Sequence, residues 1–253
     1  MAANNGVEGQ QKERFLEIVS ADWQEAFFDS GISDWRNQWS LDGLKSEVTH
    51  SEKGMNLRAG PVPKEDASHT VLWTKQSFSG DLKIEYEYTR TDEANQFVTI
   101  LYIQATGSGE KGFPKNISEW ADKRTVPAMR TYFNNMNSYH ISYAAFGGDA
   151  VEDDFDYIRA RRYMPLLKKG LTGTELQPDA FERSGLFKTG VPHQITVIKK
   201  NRELYMMITN PEKDYLCHWT NNDKPGITEG RIGLRHMFTR SARYKNFRVS
   251  QLK

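Results

Sequence analysis

The chain has 253 residues, with 34 basic and 33 acidic side chains, a formal net charge of +1 and 38% hydrophobic content. That balance argues against a nucleic-acid binder that relies on a strong positive field, and 6 Trp, 11 Tyr and 13 Phe argue against intrinsic disorder. The single cysteine, Cys217, excludes an intrachain disulfide framework and any cysteine-based zinc cluster, and no apolar run approaches the length of a membrane span.

In chain order, residues 1–12 are polar and read as a mobile segment, without the charged start and apolar stretch of a signal peptide. The expected location is the periplasm or outside the cell with a leader already removed, with the cytoplasm as the alternative. Residues 13–19 predict a short helix with Phe15, Leu16 and Val19 on one side. Strand patterns begin at Trp23 and continue to the end. They include a hairpin turning at Glu52-Lys53-Gly54, runs 69–78, 81–91 and 97–106, then 128–136, 138–146 and 159–166. A second hairpin turns at Asn201-Arg202, and strands 215–220, 231–238 and 242–252 close the chain. Many short strands and one helix predict an all-β fold, with residues 13–253 forming one jelly-roll domain of two antiparallel sheets. Trp73, Tyr143, Phe247 and Val249 are expected in its core.

Strand side chains alternate between two faces. In 138–146, Tyr139, Ile141, Tyr143 and Ala145 form an apolar face, while Ser138, His140 and Ser142 form a polar one. In 97–106 the polar face ends with Tyr102, Gln104 and Thr106, and in 128–136, read as a strand, Arg130, Tyr132 and Asn134 share a face. Strands lie about 5 Å apart, so as neighbours these faces would form one platform suited to a sugar. The bland alternative is a solvated antiparallel face.

His140 is the candidate base, because imidazole exchanges protons near neutral pH. Tyr132 or Tyr102 is the candidate acid. Arg159, Arg161 and Arg162, with Arg130 and Arg235, supply guanidinium forks that match carboxylate or sulfate. Glu85 and Glu87 lie two apart on one strand face, a spacing of about 6–7 Å that a glycosidase carboxylate pair can use. Asp149, Glu152, Asp153, Asp154 and Asp156 supply oxygen ligands of the kind Ca²⁺ takes, without the regular spacing of a calcium loop. No cofactor or metal is expected. Cys217 reads as a buried thiol.

Residues 69–88, 138–146, 159–166 and 230–247, together spanning most of 65–252, resemble the YesU-like family of bacterial jelly-roll proteins in the concanavalin A-like lectin/glucanase superfamily. The matching positions are Trp73, Tyr132, Asn137, His140, Ser142, Tyr143, Arg159, Arg162, Arg235, Met237 and Tyr244. The resemblance implies a carbohydrate context. Jelly-roll lyases neutralise a uronate carboxylate and remove the C5 proton with a His or Tyr, although their RTEVR-like and QIH-like motifs are absent here, as is the EIDIE pattern of the glucanases. The expected function is β-elimination on a uronate-containing, sulfated or unsulfated, oligosaccharide or polysaccharide, as a lyase or a dehydratase. His140 would act as base and Tyr132 or Tyr102 as acid, with Arg130, Asn134, Gln104, Arg159, Arg162 and Arg235 binding substrate. A non-catalytic glycan-binding module and a hydrolase using Glu85 and Glu87 are the alternatives. The expected partner is an acidic glycan, with no nucleic acid and no membrane.

Overall fold

The two-residue alternation of most segments is realised, among the described residues, as sixteen strands. The structure, a computed structural model, describes residues 2–147 and 155–253. The strands form two antiparallel sheets. The first, sheet A, contains β1 (Trp23–Asp29), β3 (Glu47–Ser51), β4 (Gly54–Arg58), β7 (Leu82–Arg90), β12 (Pro192–Lys200), β13 (Glu203–Thr209), β14 (Asp214–Thr220) and β16 (Ser241–Leu252). Its order is β14-β13-β12-β7-β16-β4-β3, with β1 also paired to β16. Sheet B contains β2 (Trp39–Asp42), β5 (Thr70–Thr74), β6 (Phe78–Ser79), β8 (Phe97–Gly107), β9 (Met136–Phe146), β10 (Asp156–Arg162), β11 (Phe181–Glu182) and β15 (Glu229–His236). Its order is β11-β10-β9-β8-β15-β5-β2, with β6 also paired to β15.

Alternate residues of the two sheets meet in one core. Ile84, Tyr86 and Tyr88 of β7 and Phe247 and Val249 of β16 pack with Leu101, Ile103, Tyr139, Ile141 and Tyr143 from sheet B. Three of the four expected core residues lie here. The fourth, Trp73, is equally buried but points to the opposite face of sheet B.

That opposite face is itself covered. Residues between β8 and β9 fold back over it as a 3-10 segment, Ile117–Arg124, and a helix, α2 (Met129–Asn135). The expected strand at 128–136 is therefore corrected. Met129, Tyr132, Phe133 and Met136 recur at the helical spacing i, i+3, i+4, i+7, and this spacing sets them against Trp73, Ile100 and Tyr102. A strand would have sent Tyr132 and Phe133 to opposite sides.

The amino-terminal helix α1 spans Ala2–Val19, so residues 2–12, expected as a mobile segment, are helical in the structure. Phe15 and Ile18 pack on Ile198 and Tyr205 of sheet A with Val19 against them, while Leu16, expected to share a side with Phe15 and Val19, is exposed.

At the centre of sheet B, Gly233 lies between Trp73 and Tyr102 in the cross-strand register. A Cβ there would stand 2.5 Å from the Trp73 ring. Gly233→Ala is therefore expected to destabilise the protein by about 1–3 kcal/mol through overpacking, read as a lowered urea midpoint. An unchanged midpoint would contradict the Trp73 ring lying across β15.

Candidate functional site

On the outer face of sheet B the register aligns two cross-strand rows. One runs Arg161, His140, Tyr102, Gly233, Trp73, and the next runs Arg159, Ser142, Ile100, Arg235, Val71. Sequence alternation had grouped His140 with Ser142, and their side chains do meet.

His140 uses both ring nitrogens. Nδ1 lies 2.6 Å from the Tyr163 hydroxyl and Nε2 lies 2.6 Å from Ser142 Oγ. Tyr102 and Tyr163 stand edge-on to the imidazole. Burial pushes the His140 pKa well below the usual imidazole value, and the Arg161, Arg235 and Arg159 charges push it further. A neutral imidazole thus sits inside a frame of three guanidinium groups.

The frame is short of negative charge. Arg161 has a partner, donating to Glu175 Oε1 at 2.6 Å and to Thr174 Oγ1 at 2.9 Å. Arg159 lies over the Tyr157 ring at 4.9 Å, and its buried Nε has no hydrogen-bond partner among the described residues. Arg235 is fully buried. It donates through Nη2 to His69 Nδ1 and to the Pro127 carbonyl, both at 2.8 Å, and stacks on the Tyr132 ring at 4.6 Å. Its Nε and Nη1 have no partner among the described residues. Buried N–H donors left without a partner are costly; the nearest carboxylate, Glu175, is held by Arg161, although it also feels the Arg159 charge.

A carboxylate, Asp42, fastens the cover above this frame. Its Oδ2 accepts from Trp73 Nε1 at 2.7 Å, Arg124 Nε at 2.6 Å and the Tyr132 hydroxyl at 3.0 Å. Arg124 also ties the 3-10 segment together through the Ile117 and Trp120 carbonyls. Trp73, Tyr102 and Tyr132 stack with ring planes within 18° of one another. Burial raises the pKa of the Tyr102 and Tyr132 phenols.

The other expected site residues are dispersed. The Tyr132 hydroxyl points at Asp42, away from His140. The Tyr102 hydroxyl donates to Met129 Sδ at 3.7 Å. Gln104 does not continue the Tyr102 face. It sits in a bulge with φ +54°, and its Nε2 holds the Gly80 carbonyl at 2.9 Å. Arg162 faces the other way and donates to the Pro225 carbonyl at 3.0 Å and to Asn137 Oδ1 at 3.4 Å. Arg130 and Asn134 are exposed on α2 and share no strand face with Tyr132. Glu85 and Glu87 do share a face, but on sheet A, where Lys83 Nζ lies 3.3 Å from Glu85 and Asn246 Nδ2 donates to Glu87 at 2.6 Å. Asp149, Glu152, Asp153 and Asp154 lie outside the described residues. Asp156 accepts from the Ser184 hydroxyl and from the Gly185 N–H. Tyr163 was not singled out from sequence, because it follows the Arg159–Arg162 run without a strand period of its own.

A cleft of about 600 Å³ lies elsewhere, between β3, β4 and residues 91–94 and 239–241. It contains no aromatic side chain, and its central carboxylate, Asp92, is already held by Arg90, Arg240 and two backbone N–H groups.

Residues 29–249 match the family model described as "Domain of unknown function (DUF1961)". The chain belongs to this family. It is 22% identical over 235 residues to the uncharacterized protein YesU of Bacillus subtilis, covering 88% of this chain and 91% of YesU. This supports the YesU-like resemblance read from the sequence. Among solved structures it is similar to a Bacillus subtilis protein of unknown function with a galectin-like fold (TM-score 0.65, 19% identity, covering 91% and 100% of the two chains). Others are the exoplasmic/lumenal domain of VIP36 with Ca²⁺ and Man3GlcNAc bound (0.56, 12%, 91% and 91%) and lectin II from Ulex europaeus (0.57, 7%, 90% and 100%). The lectin-like jelly-roll sandwich expected from strand periodicity is thus the fold of this family member.

Burial also sets a pH dependence. His69 and His236 are pushed down to about 3, and His140 well below its usual value. Below the unfolded-state value of about 6.5, the unfolded chain therefore binds more protons than the folded one. Stability is fully present above that pH and falls as pH drops toward about 3, by up to about 1.4 kcal/mol per pH unit for each histidine. Urea midpoints measured from pH 7.5 to 4 should fall steadily below 6.5, and a flat profile would contradict three neutral buried imidazoles.

Proposed function

We propose that this protein binds an acidic glycan on the outer face of sheet B, with a uronate carboxylate taken by the guanidinium frame around His140. The observation that carries the reading is the pair of under-coordinated arginines, Arg159 and Arg235, flanking one neutral imidazole. Charge-assisted bonds from guanidinium to carboxylate are about twice as strong as neutral ones and fix orientation. Arg159 is half-buried at the rim and meets the ligand first, while Arg235 lies deeper, beneath α2. The fold-level likeness to the VIP36 domain, described with a bound mannose oligosaccharide, and to a plant lectin is consistent with a sugar ligand.

Calorimetry against uronate and neutral oligosaccharides tests this directly. Uronates should bind more tightly than neutral sugars and lose affinity as salt rises, because the rim charge is screened over about 8–10 Å. Arg159→Gln should weaken uronate binding by about tenfold or more, equivalent to about 1.4 kcal/mol. Equal affinity for neutral and acidic sugars at every salt concentration would overturn the reading.

The chain of contacts from Ser142 through His140 to Tyr163 favours a second, catalytic reading. Here His140 takes the C5 proton of a bound uronate, and the C–H electron pair forms the C4–C5 double bond. The C4 oxygen substituent leaves with a proton from a phenol. Arg159 and Arg235 stabilise the developing enolate-like charge. Tyr163 and Tyr102 are the phenols beside the imidazole. The leaving group is a sugar in a lyase and water in a dehydratase. This chemistry requires α2 to shift, because His140 is 3% exposed. Rising absorbance near 235 nm on a uronate panel would report the unsaturated product. His140→Ala should then slow turnover by about 10²–10⁴-fold while leaving binding to the arginines largely intact. Wild-type turnover in His140→Ala would overturn the elimination, and binding without any absorbance change would leave glycan binding alone.

A further inference from the structure

Two cavities of about 370 Å³ each open along sheet B, one beside Trp73 and one at the carboxyl end of β8, and both are lined by Ile117 and Arg231. Together they form a groove between β15, β5 and the 3-10 segment. Four cations line it: Lys75, Lys115, Arg124 and Arg231. Its carboxylates are Asp42 and Glu229. Asp42 is held by Arg124 at 2.6 Å, and Glu229 is paired with Lys115 at 3.3 Å. Among the described residues, neither Lys75 nor Arg231 forms an ion pair with a carboxylate of its own. Lys75 Nζ donates to the Arg36 carbonyl, and the only polar contact of the Arg231 side chain among the described residues is Asn116 Oδ1 at 3.4 Å. Burial, and then the nearby Arg124 charge, lower the pKa of half-buried Arg231, against a smaller opposing pull from the Asp42 carboxylate.

Arg231 and Arg235 stand on the same strand four residues apart, about 13 Å by strand rise and more than one sugar ring. Gly233 lies between them, opposite Trp73. We infer that the Arg231–Lys75 groove is a second anionic subsite, taking a further carboxylate or sulfate ester of the same glycan chain that the His140 frame holds by its uronate. The inference rests on the glycan-binding reading above. It makes the protein selective for chains that carry two negative groups at this separation.

The test is calorimetry with three probes: glucuronate, an unsulfated hexauronate, and a sulfated uronate-containing oligosaccharide of the same length. Wild type should bind both long probes more tightly than glucuronate. Arg231→Gln should remove about tenfold of that gain and leave glucuronate affinity unchanged, and exposed Lys75→Gln should act in the same direction, as a variant with little risk to folding. Arg159→Gln should weaken all three probes. Loss confined to the sulfated probe identifies the groove's anion as sulfate, and loss on both long probes identifies it as either anion. Full retention of the gain in both groove variants would overturn the subsite while leaving the frame intact. Failure of wild type to bind any uronate would instead overturn the glycan reading, and the subsite with it.

Discussion

The outer face of sheet B is organised by one buried carboxylate. Asp42 stands at the end of an edge strand, yet it receives hydrogen bonds from a sheet residue, a 3-10 segment and a helix: Trp73, Arg124 and Tyr132. An ion pair with a guanidinium in a buried setting needs further hydrogen bonds to offset its desolvation; here the indole and phenol join Arg124 on the one oxygen Oδ2, and burial still raises the Asp42 pKa against them. Without Asp42 the Arg124 charge would be stranded, and Tyr132 would lose the anchor that holds α2 flat against Tyr102. The roof over the sheet is therefore an electrostatic construction as well as an apolar one.

The roof determines what the arginines can do. Beneath it, Arg235 is removed from water, stacks on the Tyr132 ring and donates to a neutral imidazole, His69, and a carbonyl. Burial, reinforced by three positive groups around it, keeps the His140 imidazole uncharged, as a proton acceptor must be. The same arrangement leaves N–H groups on Arg159 and Arg235 without partners. In a low-dielectric setting a carboxylate would gain more from such donors than it would in water. The binding and the proton transfer proposed above would thus draw on one physical feature, an excess of positive charge that an anionic ligand would complete. The edge groove at Arg231 repeats the pattern nearer the solvent.

Much of this was legible from alternation. The strand at 138–146 shows its apolar and polar faces at a period of two, and so His140 and Ser142 were placed together correctly. The YesU-like likeness drew attention to Arg159 and Arg235. What escaped was information that periodicity does not carry. Residues 129–136 mix aromatic and polar side chains in a way that fits a strand locally, and only the apolar set 129, 132, 133, 136 betrays the helix. Asp42 sits at the end of a four-residue strand, where a carboxylate reads as a turn residue. Gln104 follows a run with strong strand character, yet a bulge turns its amide away from the Tyr102 face. Arg162 and Arg159 lie three apart in sequence, so they fall on opposite faces of β10, a point that the cluster of arginines concealed.

The most direct measurement is a crystal structure of the protein with a uronate oligosaccharide bound. The account predicts a carboxylate within hydrogen-bonding distance of Arg159 Nε, on the outer face of sheet B beside His140. A sugar seated in the cleft between β3, β4 and residues 91–94, with no carboxylate near Arg159 or Arg235, would contradict it.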